Sequence, residues 1–128
     1  MTPTPPLLTP VTPAAGHAWV VPPEIRDDLQ RAMTLGAGVL RSADSLDGAA
    51  QELGRLCVQR TTPRTAAWEA TNLLTVAATL VASAYARRET RGCHWREDFP
   101  YAADEWRGHL LDSIGPTGML AQTFQEMS

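Results

Sequence analysis

TAAWEATNLLTVAATLVASAYARR, residues Thr65 to Arg88, is the stretch on which the fold turns. Its run from Ala66 to Ala86 is apolar enough to raise a membrane reading, so the polar positions decide. Thr65, Glu69, Asn72, Thr75, Thr79 and Ser83 recur every three or four residues and form one polar stripe. Ala66, Ala70, Leu73, Ala77, Leu80, Val81 and Ala84 oppose it. A bilayer span gains nothing from such a stripe. The spacing therefore predicts the central helix of a bundle, with alanines that let neighbouring helices approach closely.

Two shorter helices precede it. From Pro23 to about Gly36, proline stands in the first turn, Glu24, Asp27 and Asp28 lie near the positive end, and Ile25, Leu29, Ala32 and Met33 share a face. Gly36 and Gly38 loosen this helix, and Val39-Leu40 would continue its buried stripe beyond a kink. Ser42 is an N-cap for the second helix, with Asp44 in its first turn and Leu46, Ala49, Ala50, Leu53 and Leu56 at helical spacing. That helix should finish by Val58, before the Thr61-Thr62-Pro63-Arg64 loop.

Downstream, Arg87-Arg88 suits the cationic last turn of the long helix, and Gly92 supplies a chain reversal. Between Arg87 and Arg107 stand five of the eleven basic residues, and His94 and His109 are two of the three histidines. In extended conformation His94, Arg96 and Asp98 would project to one side, and Trp95, Glu97 and Phe99 to the other. Ala103 to Leu111 reads as a short fourth helix, with Asp104 and Glu105 early and His109 late. Gly115 to Gly118 reads as a turn, and the remainder as a tail whose Leu120 and Phe124 dock. The fold class expected is all-α: a three-helix antiparallel bundle with a short fourth helix and an extended C-terminal segment.

The stretch ETRGCHWREDFP, Glu89 to Pro100, resembles the terminal signature of L-aspartate oxidases and of succinate dehydrogenase and fumarate reductase flavoprotein subunits. That signature usually runs Glu-Ser-Arg-Gly-Ala-His-x-Arg-x-Asp-Phe/Tyr-Pro. The likeness extends upstream through Leu29-Gln30, Met33, Ala37-Gly38-Val39, Arg41 and Glu69 with Asn72-Leu73-Leu74, and so covers roughly Pro23 to Leu111. Cys93-His94-Trp95 and Arg64 to Glu69 lean toward the aspartate oxidase branch. The resemblance implies the helical C-terminal domain of an FAD-dependent oxidoreductase that turns L-aspartate into iminoaspartate in NAD biosynthesis. The flavin-binding and capping domains of such a parent, in cis or in trans, become the implied partners. No Gly-x-Gly-x-x-Gly follows a strand-like run, and Leu35-Gly36-Ala37-Gly38 has the wrong spacing, so FAD is expected in the parent family and no cofactor in this chain.

Within that frame the chain divides into a Pro-rich arm (1–22), a helical domain (23–112) and a tail (113–128). The arm carries seven of the ten prolines, including a Pro3-to-Pro6 PxxP form, and reads as linker, with Trp19-Val20-Val21 able to touch the domain. Arg91, His94, Arg96, Asp98, Glu69 and Asn72 are the candidate interface or anion-contact residues, with no catalytic, cofactor-binding or metal residue expected. His94, Arg96 and Asp98 could bind an anion as a small free-standing site, or lock the post-helix segment onto the bundle. Arg91 could reach a partner surface as a bidentate donor or contact a helix-terminal carbonyl. Glu69 and Asn72 either face the flavin domain or are solvated. Cys93 and His94 are adjacent, but no second ligand pair has zinc spacing.

Composition supports a soluble reading. The 128 residues are 44% hydrophobic with a net charge of -3, which is enough for one domain and disfavours nucleic acid, whose phosphates need a basic face. Cys57 and Cys93 read as reduced thiols in a cytoplasmic protein, and the N-terminus lacks a signal-peptide pattern.

Overall fold

The computed structural model describes residues 20–115 and 120–127. The arm up to Trp19, its PxxP form and most of the Gly115–Gly118 turn lie outside the described residues. Three helices form the body: α1 (Arg26–Gly36), entered through a 3-10 turn at Pro23–Ile25, α2 (Ala43–Cys57) and α3 (Thr65–Ala86). No helix of the described residues is long and apolar enough to cross a membrane.

Antiparallel packing follows from which ends meet. Asp28 early in α1 bridges Arg55 late in α2 at 3.2 Å, while Gly36 at the end of α1 sits against Ser45 and Ala49 near the start of α2. A Cβ at Gly36 would lie 2.6 Å from both Ala49 Cβ and the Ser45 carbonyl, so glycine permits this crossing. The second helix begins as its sequence indicates: Ser42 Oγ accepts from Ser45 N at 3.1 Å and Ser45 Oγ accepts from Ser42 N at 2.9 Å. Leu46, Ala49, Leu53 and Leu56 of α2 meet Ile25, Leu29, Leu74, Ala77 and Val81 in the core. Val20 and Val21 are fully buried, and Val21 N donates to Thr71 Oγ1 at 2.9 Å. The end of the expected linker is thus part of the domain.

The register of α3 differs from expectation by one position. Ala67, Ala70, Leu74, Ala77, Val81 and Ala84 face the core, whereas Ala66, Leu73 and Leu80 face outward on the side of Glu69 and Asn72. Threonine polarity is a poor guide here, because Thr71, Thr75 and Thr79 each donate to the carbonyl four residues back at 2.8–2.9 Å. A hydroxyl bonded within its own helix no longer marks the solvent side.

The chain is not purely helical. β1 (Leu40–Arg41) pairs in parallel with β2 (Trp95–Arg96), and β3 (Gly108–Ile114) pairs antiparallel with β4 (Leu120–Glu126). Val39 and Leu40 therefore leave the α1 stripe and are exposed. The expected fourth helix is only a 3-10 turn at Asp104–Trp106, after which β3 begins. The charges of that segment do match a helix dipole, but Leu110 and Leu111 find partners in Phe124 and Thr123 across the hairpin, and that pairing outweighs a short isolated helix. Tail residue Phe124 docks edge-on to Trp106, with ring centroids 5.3 Å apart.

Candidate functional site

Everything after α3 is held by two buried charged groups. Arg96, 1% exposed, donates from Nη1 to the carbonyls of Ala84 at 3.0 Å and Tyr85 at 2.9 Å, the last turn of α3. Its Nε and Nη2 each meet an oxygen of Asp98 at 2.8 Å. Asp98 Oδ2 also accepts from Ala43 N at 3.0 Å, at the first turn of α2. A cation thus sits at a helix C-terminus and an anion at a helix N-terminus, both favoured by the helix dipoles. The Arg96 fork and the Ala43 N–H hold the Asp98 carboxyl down at about 2, against a smaller upward push from burial.

This arrangement corrects the expected end of α3. The helix stops at Ala86, and the cation on its carbonyls is Arg96 rather than Arg87 or Arg88. Arg87 turns away to donate to the carbonyls of Trp106 at 2.7 Å and Gly108 at 3.0 Å, and its guanidinium lies 5.4 Å from the Trp106 ring centre. Phe99 joins Arg96 rather than facing away, with the guanidinium 5.1 Å from its ring centre. Trp95 remains exposed, as does Trp68.

The second group, Glu89, is not among the residues that the sequence singles out. It is completely buried, accepting from Arg87 Nη1 at 2.7 Å, Arg91 Nε at 2.8 Å, Arg91 Nη2 at 3.1 Å and Ala103 N at 2.9 Å. Burial pushes its carboxyl upward, but the Arg91 fork, the Ala103 N–H and Arg87 together bring it below the usual carboxylate range. Arg91 therefore makes its bidentate contact within the chain, not with a partner or a helix end. Gly92, at φ 59°, closes the reversal in which Arg91 and His94 exchange backbone hydrogen bonds of 2.9 and 3.0 Å. The alternation Arg87-Arg88-Glu89-Thr90-Arg91, one acid two residues from either arginine, is the signal that the sequence does carry.

His94 is placed beside this lock with both ring nitrogens engaged. Nε2 lies 2.9 Å from the Arg87 carbonyl, which can only accept, so Nε2 carries the proton and Nδ1 accepts from Arg41 Nη1 at 3.2 Å. Burial depresses the imidazole pKa, and the positive charges of Arg41, Arg96 and Arg87 add to that effect against the Arg87 carbonyl. His94 is a neutral positioning group. The structure thus brings His94, Arg96 and Asp98 together, but with the Arg96 donors and the Asp98 oxygens committed to each other and to helix ends.

Glu69 and Asn72 lie elsewhere, exposed on the outer face of α3. Leu73, Val76 and Leu80 continue that face at 41%, 64% and 40% exposure. Their spacing of three and four residues makes one bare apolar strip. At its C-terminal end Ser83 donates to Asp112 on β3 and accepts from Gln122 Nε2 at 3.3 Å, so the hairpin covers the last turns.

The match to known proteins falls on this same unit. Residues 26–119 match the family described as fumarate reductase flavoprotein C-term. The chain belongs to that family. An L-aspartate oxidase of Streptomyces coelicolor is 49% identical over 113 residues, 80% of this chain and 20% of the relative. A fumarate reductase (CoM/CoB) of Methanothermobacter marburgensis is 38% identical over 101 residues, 70% of this chain and 18% of the relative. A succinate dehydrogenase flavoprotein subunit of Rickettsia conorii is 32% identical over 118 residues, 82% of this chain and 20% of the relative. The chain thus spans about a fifth of the length of these relatives.

Flavin chemistry finds no cradle among the described residues. The parallel pair β1–β2 is two residues per strand, without the strand–turn–helix unit that holds a dinucleotide pyrophosphate. Gly36, the best placed glycine of the Gly36-Ala37-Gly38 run, is filled by α2 rather than open to a phosphate. No group of three or more His, Cys, Asp or Glu able to hold a metal occurs among the described residues.

Proposed function

We propose that this chain is the C-terminal helical domain of an L-aspartate oxidase-like flavoprotein, inactive alone, which buttresses the flavin-binding and capping domains in cis or in trans. The parent reaction would be FAD-dependent oxidation of L-aspartate to iminoaspartate, supplying NAD biosynthesis. The 49% identity to the Streptomyces coelicolor L-aspartate oxidase supports that branch. The observation that carries the interface role is the bare strip Leu73, Val76 and Leu80 on the longest helix. Contiguous exposed apolar surface of this kind marks a contact face in soluble proteins. Glu69 and Asn72, one turn before the strip, are placed to make polar contacts at its rim.

The test is spectroscopic. Purified chain mixed with FAD should show no perturbed flavin bands and no L-aspartate-dependent bleaching. A flavin spectrum altered by the chain alone would overturn the proposal.

A further inference from the structure

A shallow cleft of about 390 Å³ opens where α3 meets the hairpin, lined by Arg41, Leu80, Arg87, His94, His109 and Asp112 among others. Among the described residues Arg41 is the partly buried arginine without a carboxylate: Arg87 and Arg91 share Glu89, and Arg96 holds Asp98. Its Nε donates to the Gly38 carbonyl at 3.0 Å and one Nη1 hydrogen goes to His94. A guanidinium carries five N–H donors, so the Nη1–Nη2 end keeps an edge without an acceptor among the described residues. That edge has the fork geometry that matches the two oxygens of a carboxylate.

The surrounding charges favour an anion. Arg41 and Arg87 are cationic, with Glu89 behind Arg87, and His109 is an exposed imidazole on β3. Asp112 is the opposing charge, and it is engaged by the Ser83 hydroxyl. His94 fixes Arg41 from one side through a ring nitrogen that can only accept.

We propose that this cleft is a carboxylate-receiving site in which Arg41 is the gripping residue and His109 a flanking donor. It differs from the His94, Arg96 and Asp98 trio, whose arginine is closed off by its own aspartate. It also goes beyond the interface reading, because the site is on this chain and is measurable without a flavoprotein partner. The carboxylate could belong to a free small acid or to an acidic side chain presented by an adjoining domain.

The experiment follows the imidazole resonances of His94 and His109 in the full chain, at constant ionic strength, with acetate, succinate or inorganic phosphate as probe. Saturable shifts at both histidines with acetate and succinate, weaker with phosphate, are expected. Arg41→Gln should weaken binding at least about tenfold, the loss of one charged fork. His109→Gln, on an exposed strand position, should weaken it less while the fold persists. Repeating the titration with the chain fused behind flavin-binding and capping domains separates the sources. Loss of acetate binding there assigns the site to a protein carboxylate, and retained binding assigns it to a free acid. Absence of saturable shifts in the folded chain, phosphate binding equal to acetate, or unchanged binding in folded Arg41→Gln would overturn the site, and none of these results bears on the interface proposal.

Discussion

Arg96 and Asp98, two residues apart in the chain, tie the C-terminal carbonyls of α3 to the N-terminal N–H of α2. A local pair of charges thereby closes a long-range contact, and the segment between them cannot leave without exposing both helix ends. Removing one partner of such a buried pair leaves the other charged and unsolvated. We predict that Arg96→Met costs about 3–5 kcal/mol. Asp98→Asn, which keeps an acceptor near Ala43, should cost less, about 1–3 kcal/mol. Urea unfolding of both variants and of the double variant measures the coupling; additive losses would show that the pair is not the lock.

Stability should fall on acidification in two stages. His94 is held neutral below its ordinary 6.5, so the unfolded chain binds the extra proton first and stability declines as pH drops through 6.5 toward the depressed folded value. Asp98, held at about 2 against an ordinary 3.8, contributes stability that is complete above 3.8 and disappears as pH falls toward 2. Glu89 adds to this lower stage, its carboxyl lying below the ordinary 4.5. Urea midpoints measured across the acid range should show both declines, with His94→Gln removing the upper one. A midpoint that stays level from neutrality to about pH 5 contradicts the placement of His94.

Glycine positions separate two outcomes of one substitution. A Cβ at Gly108 would lie 2.2 Å from the Gln125 carbonyl oxygen and 2.8 Å from Phe124 Cζ, so Gly108→Ala should force β3 and β4 apart at a cost of about 1–3 kcal/mol. Gly48, inside α2, has nothing within 4 Å of where an alanine methyl would stand, so Gly48→Ala should stabilise by about 0.5–1 kcal/mol. Amide exchange in the hairpin and thermal midpoints test the pair, and equal effects would contradict the close approach at Gly108.

Legibility in the sequence tracks how local the deciding interaction is. Ser42 with Leu46, Ala49, Leu53 and Leu56 announces α2 because a cap and a helical period are written within a few residues. The face of α3 reads one position out, since hydroxyl bonds from Thr71, Thr75 and Thr79 to their own helix conceal polarity that spacing alone counts as solvent-facing. The hairpin is hidden because Leu110 depends on Phe124, a pairing that nothing in the Asp104–Leu111 pattern encodes. Of the candidate residues, Arg91, His94, Arg96 and Asp98 do cluster around one segment, whereas Glu69 and Asn72 belong to a separate surface. Glu89 escapes sequence reading because a lone acid among arginines resembles surface charge until burial is known.

Val76 gives the central claim its most direct measurement. It is 64% exposed in the middle of the strip, so Val76→Asp should change the stability of the isolated chain by no more than about 0.5 kcal/mol. The measurement is L-aspartate-dependent flavin reduction by an L-aspartate oxidase whose own C-terminal domain is replaced by this chain, compared with the same fusion carrying Val76→Asp. The account predicts reduction by the first fusion and a loss of at least about tenfold in the second. Equal reduction by both fusions, or by the flavoprotein with the domain simply removed, would contradict it.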